Sequence, residues 1–147
     1  MENNFLNKKE CKNFIDFYKK NKASKFFNTF TLPLEPEEHK DLIQKLNSVT
    51  KKLNNSVVDY LQIVEWPAPN IGQQLHFDTG FLHTTLSSII YLNDEFKGGH
   101  TCFEDKTSFS PVTGRAIFFD GQYFKHGVSS IKKNNRYTIA TWFLKNV

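Results

Sequence analysis

Four residues in the second half of the chain have the types and the order of a metal site beside an anion anchor. His76 and Asp78 are separated by one residue, and His126 and Arg136 follow further along the chain. Two imidazoles and one carboxylate are the ligand set of mononuclear non-haem Fe(II) oxygenases, which leaves positions open for a cosubstrate and O₂. A planar guanidinium can bind the carboxylate of a dicarboxylate cosubstrate through two hydrogen bonds.

The spacing of these residues requires strands to position them. On a strand, residues i and i+2 point to the same face and lie about 6–7 Å apart, so His76 and Asp78 can reach one ion while Phe77 points away. His126 must then come from another strand. Without that arrangement, each histidine would be an ordinary core or surface residue.

Arg136 opens the last predicted strand. Alternation places Thr138, Ala140 and Trp142 on the same face as Arg136. If this face lines a barrel interior, Arg136 is a buried cation that needs a partner. The alternative is a surface salt bridge.

The N-terminal part of the chain has helical patterns. Asn7 and Glu10 form a capping box before a stripe of apolar residues, and residues 26–34 are predicted to be extended. Pro36 suits the first turn of a second helix. The stripes predicted to be buried on the two helices are Cys11, Phe14, Ile15 and Tyr18, and then Leu42, Ile43, Leu46, Val49 and Leu53.

After residue 55 the pattern changes to short segments rich in β-branched and aromatic residues, mostly separated by Gly, Pro, Asn or Asp. Many short strands at this spacing predict a sandwich or barrel, with the helices packed on one outer face. The predicted strands are residues 57–65, 74–77, 84–92, 101–103, 115–119, 127–131 and 136–144.

Composition favours one globular domain of 147 residues with a net charge of +4. The positive charge comes from lysines, which indicate a solvated helix face more than a nucleic-acid partner. Two cysteines without close spacing are no disulfide framework or zinc-thiolate site. No apolar leader or stretch of about 18 apolar residues is present, so we expect a cytoplasmic protein without membrane contact. The sequence leaves the oligomeric state open.

Several motifs resemble the prolyl-4-hydroxylase-like branch of the Fe(II)/2-oxoglutarate dioxygenases. The resemblance covers about residues 57–144, and its specificity comes from the order of the motifs. The motifs are Leu61 to Glu65, Gln74 to Asp78, Ile90 to Asn93, Gly98 to Phe103, Pro111 to Phe119, His126 to Val128, and Arg136 to Phe143.

The resemblance implies an α+β chain: a double-stranded β-helix (a jelly roll, about residues 56–145) after a helical part at about 1–55. It implies that His76, Asp78 and His126 bind Fe(II), and that Arg136 holds the distal carboxylate of 2-oxoglutarate. Thr138, on the same face, and Gln73, where relatives often have tyrosine, are the further candidates for the cosubstrate. The cofactors would be Fe(II), 2-oxoglutarate and O₂, with ascorbate as an additional reductant.

The implied activity is hydroxylation of a C–H bond, with 2-oxoglutarate decarboxylated to succinate and CO₂. We expect a peptidyl substrate such as proline. The alternatives are a free amino acid or other small molecule, or a jelly-roll protein that binds metal without catalysis. His83 and His100 are expected in surface or loop roles, and the segment Trp66 to Gly72 is either a lid over the substrate or a connector.

Overall fold

The computed structural model, which describes residues 1–78 and 83–147, has two N-terminal helices and a jelly roll of short antiparallel strands. The predicted fold class is confirmed. The helices are α1 (Lys8–Lys19) and α2 (Lys40–Asn54), with a 3₁₀ turn at Pro36–Glu38. The strands are β1 (Ser24–Phe26), β2 (Thr29–Pro33), β3 (Ser56–Trp66), β4 (Gln73–His76), β5 (Thr84–Tyr91), β6 (Lys97–Gly98), β7 (Thr101–Phe103), β8 (Ser108–Phe109), β9 (Ala116–Phe119), β10 (His126–Val128), β11 (Ile131–Lys133) and β12 (Arg136–Lys145).

The strands form a major sheet and a minor sheet. The major sheet has six strands in the order β1-β2-β3-β12-β5-β9, and the minor sheet has four in the order β4-β10-β7-β8. Strands β6 and β11 form a separate pair. One cavity is lined by residues of both larger sheets, so the two sheets enclose the interior of the jelly roll.

The helices cover the outer face of the major sheet. The capping box of α1 is present, with the Asn7 side chain accepting from the Glu10 N–H. Cys11 and Leu46, which are fully buried, pack in one cluster with Ile63 of β3 and Ile139 of β12. Burying this apolar face of the sheet leaves the opposite face of β3 and β12 for the interior.

The second helix departs from the sequence prediction at both ends. Pro36 belongs to a separate 3₁₀ turn, and α2 starts only at Lys40. Leu53, predicted in the buried stripe, is 57% exposed, and Thr50 is buried in its place. The Thr50 hydroxyl donates to the Leu46 and Ser56 carbonyls, so this polar side chain is accommodated beneath the end of the helix.

The N-terminal part is not purely helical, because β1 and β2 extend the major sheet beyond β3. The predicted strand at 127–131 is two strands interrupted at Ser129 and Ser130. The two-residue strands β6 and β8 are too short to give an alternating pattern, and the sequence did not predict them. Within the two described ranges, no helix has the length and apolar character needed to cross a membrane.

Candidate metal centre

Three side chains with metal-ligating atoms meet beside the pair β4–β10. His76 and His126 are directly opposite each other in this pair, and Asp78 lies just beyond the end of β4. Asp78 Oδ1 is 3.2 Å from His126 Nε2 and 3.7 Å from His76 Nε2. Metal–ligand bonds of about 2.0–2.2 Å place adjacent ligands about 3 Å apart, so a small movement lets all three bind one ion.

Backbone carbonyls set the orientation of both imidazoles. His76 Nδ1 is 2.9 Å from the Gln74 carbonyl, and His126 Nδ1 is 3.0 Å from the Phe124 carbonyl. Because a carbonyl only accepts, Nδ1 carries the proton in each ring and donates. Nε2 of each ring points toward Asp78 and is the ring atom left to bind a metal through its lone pair.

The carboxylate of Asp78 is held in its ionised form. Burial raises the pKa of Asp78, but the hydrogen bond and charge of His126, together with the Ser87 hydroxyl and His76, lower it overall. Ionised carboxylate and neutral imidazole nitrogen are the forms that bind a cation. The chemistry and the spacing of the three residues therefore fit a divalent metal.

Arg136 is a buried cation in the same cavity. Its side chain is 1% exposed, its Nε donates to the Gly99 carbonyl at 2.9 Å, and its Nη2 lies 3.4 Å from Thr101 Oγ1. The guanidinium carbon is 5.4 Å from the ring centre of Trp66 and 5.3 Å from that of Tyr91. Burial lowers the pKa of Arg136, while Tyr91 acts in the opposite direction.

Within the described part of the chain, no carboxylate forms an ion pair with Arg136. A buried charge without a counter-charge is costly, and a bound carboxylate would compensate it. Trp66 supplies a second unpaired group, because its buried indole N–H has no partner among the described residues. Both side chains line the cavity, so the cavity has the donors that an anion needs.

The cavity has a volume of about 1040 Å³ and contains the His–Asp–His cluster, Arg136 and a largely apolar wall. Of the Asp, Glu, Lys and Arg residues in the described ranges, only Asp78 and Arg136 line it. Away from these groups the walls are neutral and partly aromatic. The aromatic side chains of this wall include Phe26, Phe27, Tyr60, Phe77, Phe119 and Trp142.

The other predicted site residues are placed as follows. Thr138 is 1% exposed and lines the cavity with Arg136. Gln73, the first residue of β4, is more exposed and lies on the cavity wall. Contacts of either residue with a cosubstrate stay predictions. His83 is exposed and His100 is half-buried, and neither belongs to the cluster of metal-ligating groups found among the described residues.

The segment from Trp66 to Gly72 is tied to its surroundings. Asn70 exchanges backbone hydrogen bonds with Ile131. The Asn70 and Asn28 side chains also bond to each other and to neighbouring carbonyls, including a 2.8 Å bond from Asn70 Nδ2 to the Asn28 carbonyl. Ile71 and Gly72 line the cavity. This segment, the rim segment, is therefore held in place at the edge of the cavity, and its role as a lid over the substrate stays a prediction.

Sequence reasoning passed over two polar residues of the site, Ser87 and Thr101. Ser87 donates to Asp78 Oδ2 at 2.6 Å, and Tyr91 and Thr101 share a hydrogen bond beside Arg136. Alternation along β5 puts Ser87 on the same face as Tyr91, and this pattern could have identified Ser87. No comparable signal marks Thr101, whose strand is only three residues long.

Comparisons with known proteins agree with this geometry. The family model of the 2OG-Fe(II) oxygenase superfamily matches residues 61–144. Among curated relatives, rat (Rattus norvegicus) prolyl 3-hydroxylase 2 is 38% identical over 64 aligned residues, which cover 39% of this chain and 9% of that protein. The match therefore spans less than a tenth of the length of this relative.

Two solved structures share the whole fold at low identity. The viral collagen prolyl hydroxylase of Paramecium bursaria Chlorella virus-1, in a 2-oxoglutarate complex, has a TM-score of 0.79 at 20% identity. The match covers 99% of this chain and 94% of that chain. A Trichoplax adhaerens prolyl hydroxylase, bound to a peptide fragment of hypoxia inducible factor, has a TM-score of 0.82 at 19% identity. Here the coverage is 98% and 82%.

Proposed function

Because the chain belongs to the 2OG-Fe(II) oxygenase superfamily, we propose that it is a 2-oxoglutarate-dependent dioxygenase that hydroxylates a C–H bond. One observation carries this proposal. The His76–Asp78–His126 cluster and the buried Arg136, which has no carboxylate partner in the described ranges, line the same cavity. A metal site without catalysis would not require a dicarboxylate anchor beside it.

In this proposal His76, Asp78 and His126 hold Fe(II). The bound iron, with 2-oxoglutarate as the electron donor, supplies the O₂-dependent oxidation, and succinate and CO₂ are the co-products. Arg136 binds the distal carboxylate and fixes the orientation of the cosubstrate. Trp66 and Tyr91 flank the guanidinium and keep water from it, which strengthens the ion pair.

We further propose that the oxidised group is a peptidyl residue such as proline. The relatives and neighbours named above are prolyl hydroxylases, and one was solved with a peptide. Beyond Asp78 and Arg136, the cavity wall carries neutral and aromatic side chains. Such a wall suits an uncharged ring better than a charged side chain, because it offers no counter-charge.

The test is turnover of 2-oxoglutarate to succinate in the presence of Fe(II), ascorbate and O₂, first alone and then with a panel of proline-containing peptides. We expect a slow rate without peptide and a higher rate with an accepted peptide, whose mass increases by one oxygen atom. Matched peptides with alanine in place of proline are the control. If the protein neither forms succinate nor binds 2-oxoglutarate, the proposal that it is a 2-oxoglutarate-dependent enzyme is wrong. Succinate formation that no peptide stimulates would instead direct the search to small molecules.

A further inference from the structure

The carboxylate of the metal cluster is positioned differently from the two imidazoles. His76 and His126 are paired residues of the minor sheet, whereas Asp78 lies beyond the end of β4. The Asp78 N–H donates to the Gly121 carbonyl at 2.8 Å, which fixes the backbone at this point. The carboxylate can still rotate about its side-chain bonds, so it needs another contact to present one defined oxygen.

Ser87 makes that contact from the opposite sheet. Its hydroxyl donates to Asp78 Oδ2 at 2.6 Å, while Asp78 Oδ1 is the oxygen near both imidazole nitrogens. Ser87 is 3% exposed and belongs to β5 of the major sheet. A hydrogen bond to a charged group is stronger than one between neutral groups, and this one selects a single orientation of the carboxylate.

Gly121 leaves the space in which this arrangement fits. A Cβ on Gly121 would lie 2.1 Å from Asp78 Oδ2 and 2.7 Å from Ser87 Oγ. Both distances are shorter than non-bonded atoms allow, so any larger residue would displace the carboxylate, the hydroxyl or both. Ser87 and Gly121 therefore constrain the same oxygen of Asp78.

We propose that Ser87 is a positioning residue that keeps Asp78 Oδ2 away from the metal, so that Asp78 binds through Oδ1 alone. The inference rests on the proposed metal site. A carboxylate bound through both oxygens would occupy two coordination positions. Binding through one oxygen leaves the additional position for the cosubstrate and O₂, so the Ser87 hydroxyl helps to keep the site open.

The experiment is titration of the metal-free protein with Co(II), followed by the visible absorption spectrum of the bound ion. For Ser87→Ala we expect the Kd for Co(II) to rise about 10- to 100-fold, as is typical when the partner of a metal ligand is removed. The spectrum should also change, because the ligand arrangement changes. A role limited to folding would leave the spectrum of bound Co(II) unaltered.

Ser88→Ala is the matched control. Ser88 is the next residue of β5, is 1% exposed, and has a hydroxyl without a partner among the described residues. We expect this variant to bind Co(II) as the parent does. Gly121→Ala is the second test variant, and it should weaken binding and change the spectrum through the clash with Oδ2.

Parent-like affinity and spectrum in Ser87→Ala would overturn the proposed role of Ser87 while leaving the metal site itself intact. If the parent protein binds no Co(II), the proposed metal site is wrong, and the role of Ser87 is wrong with it. If Ser87→Ala fails to fold, Gly121→Ala becomes the test. Parent-like Co(II) binding by that variant would contradict the proposal that Asp78 Oδ2 must keep one position.

Discussion

At the scale of single residues, Arg136 lies in an unusual environment, because arginine side chains are normally exposed to water. It is almost fully buried, and its described partners are a carbonyl and a hydroxyl. Replacing a buried charge with an apolar side chain of similar volume is often neutral or stabilising. Stability and cosubstrate binding therefore make opposite demands on this position.

Arg136→Met should separate these demands. We expect the KM for 2-oxoglutarate to rise roughly 10- to 100-fold, because a hydrogen bond to a charged group contributes about 1.5–3 kcal/mol. The free energy of unfolding without cosubstrate should stay the same or increase. Steady-state kinetics and urea denaturation measure the two quantities. Arg115→Met is the control, since Arg115 bonds Asn3 and Ser110 away from the cavity. An unchanged KM would remove Arg136 from the cosubstrate site.

The proposed metal ligands give a second prediction at this scale. His76→Ala and Asp78→Ala should each lose stoichiometric Fe(II), because two remaining ligands hold the ion too weakly. Metal content after gel filtration and succinate formation are the measurements. His83→Ala, which removes an exposed histidine outside the cluster, should keep both properties. Retention of iron by either ligand variant would show that the assignment is wrong.

At the scale of elements, a polar cluster fastens helix α1 to the major sheet. The Tyr18 hydroxyl of α1 donates to Glu65 Oε1 at 2.7 Å, and Tyr137 and Asn135 donate to Glu65 Oε2. Asn135 also accepts from the Ala68 N–H at the start of the rim segment. The helix, β3, β12 and the rim are therefore joined through one carboxylate.

Tyr18→Phe should destabilise the fold by about 1–3 kcal/mol, because it removes a hydrogen bond to a carboxylate. Burial and the neighbouring Glu65 raise the pKa of Tyr18. A raised pKa in the folded state contributes stability below the ordinary tyrosine pKa of about 10, and this stability decreases as the pH rises above that value. Urea denaturation at pH 7 and pH 10.5 should therefore show a smaller difference between parent and variant at the higher pH. A constant difference would contradict the linkage.

The sequence predicted the helix capping box, the main strands and the proximity of the His76 and Asp78 side chains, because each depends on local patterns along the chain. It could not predict contacts between distant elements. Ser87 meets Asp78 only after the two sheets face each other, and Glu65 binds partners from two distant parts of the chain, α1 and the start of β12. Leu53 was assigned to the core from helical spacing alone, but the sheet beneath α2 buries Thr50 instead.

At the scale of the whole molecule, the metal and the cosubstrate should stabilise the fold together. A ligand present at 100 times its Kd adds about 2.7 kcal/mol to the free energy of unfolding. For a chain of this length that corresponds to roughly 5–10 °C in Tm. We expect 2-oxoglutarate to raise the Tm strongly with Co(II) present and weakly without it, since the His–Asp–His cluster contributes only through the ion. Equal shifts with and without Co(II) would mean that the cosubstrate binds away from the metal.

The hydrogen bonds between Asn28 and Asn70 bear on how short a functional fragment of this protein could be. The family match starts at residue 61, and the three proposed metal ligands lie after it. Yet β2 pairs with β3, and Phe26, Phe27 and Thr31 form part of the cavity wall. A fragment limited to residues 61–144 would keep the proposed metal ligands but would lose the part of the cavity wall that β1, β2 and their turn form. Grafting or shortening experiments should therefore retain the first hairpin together with the jelly roll.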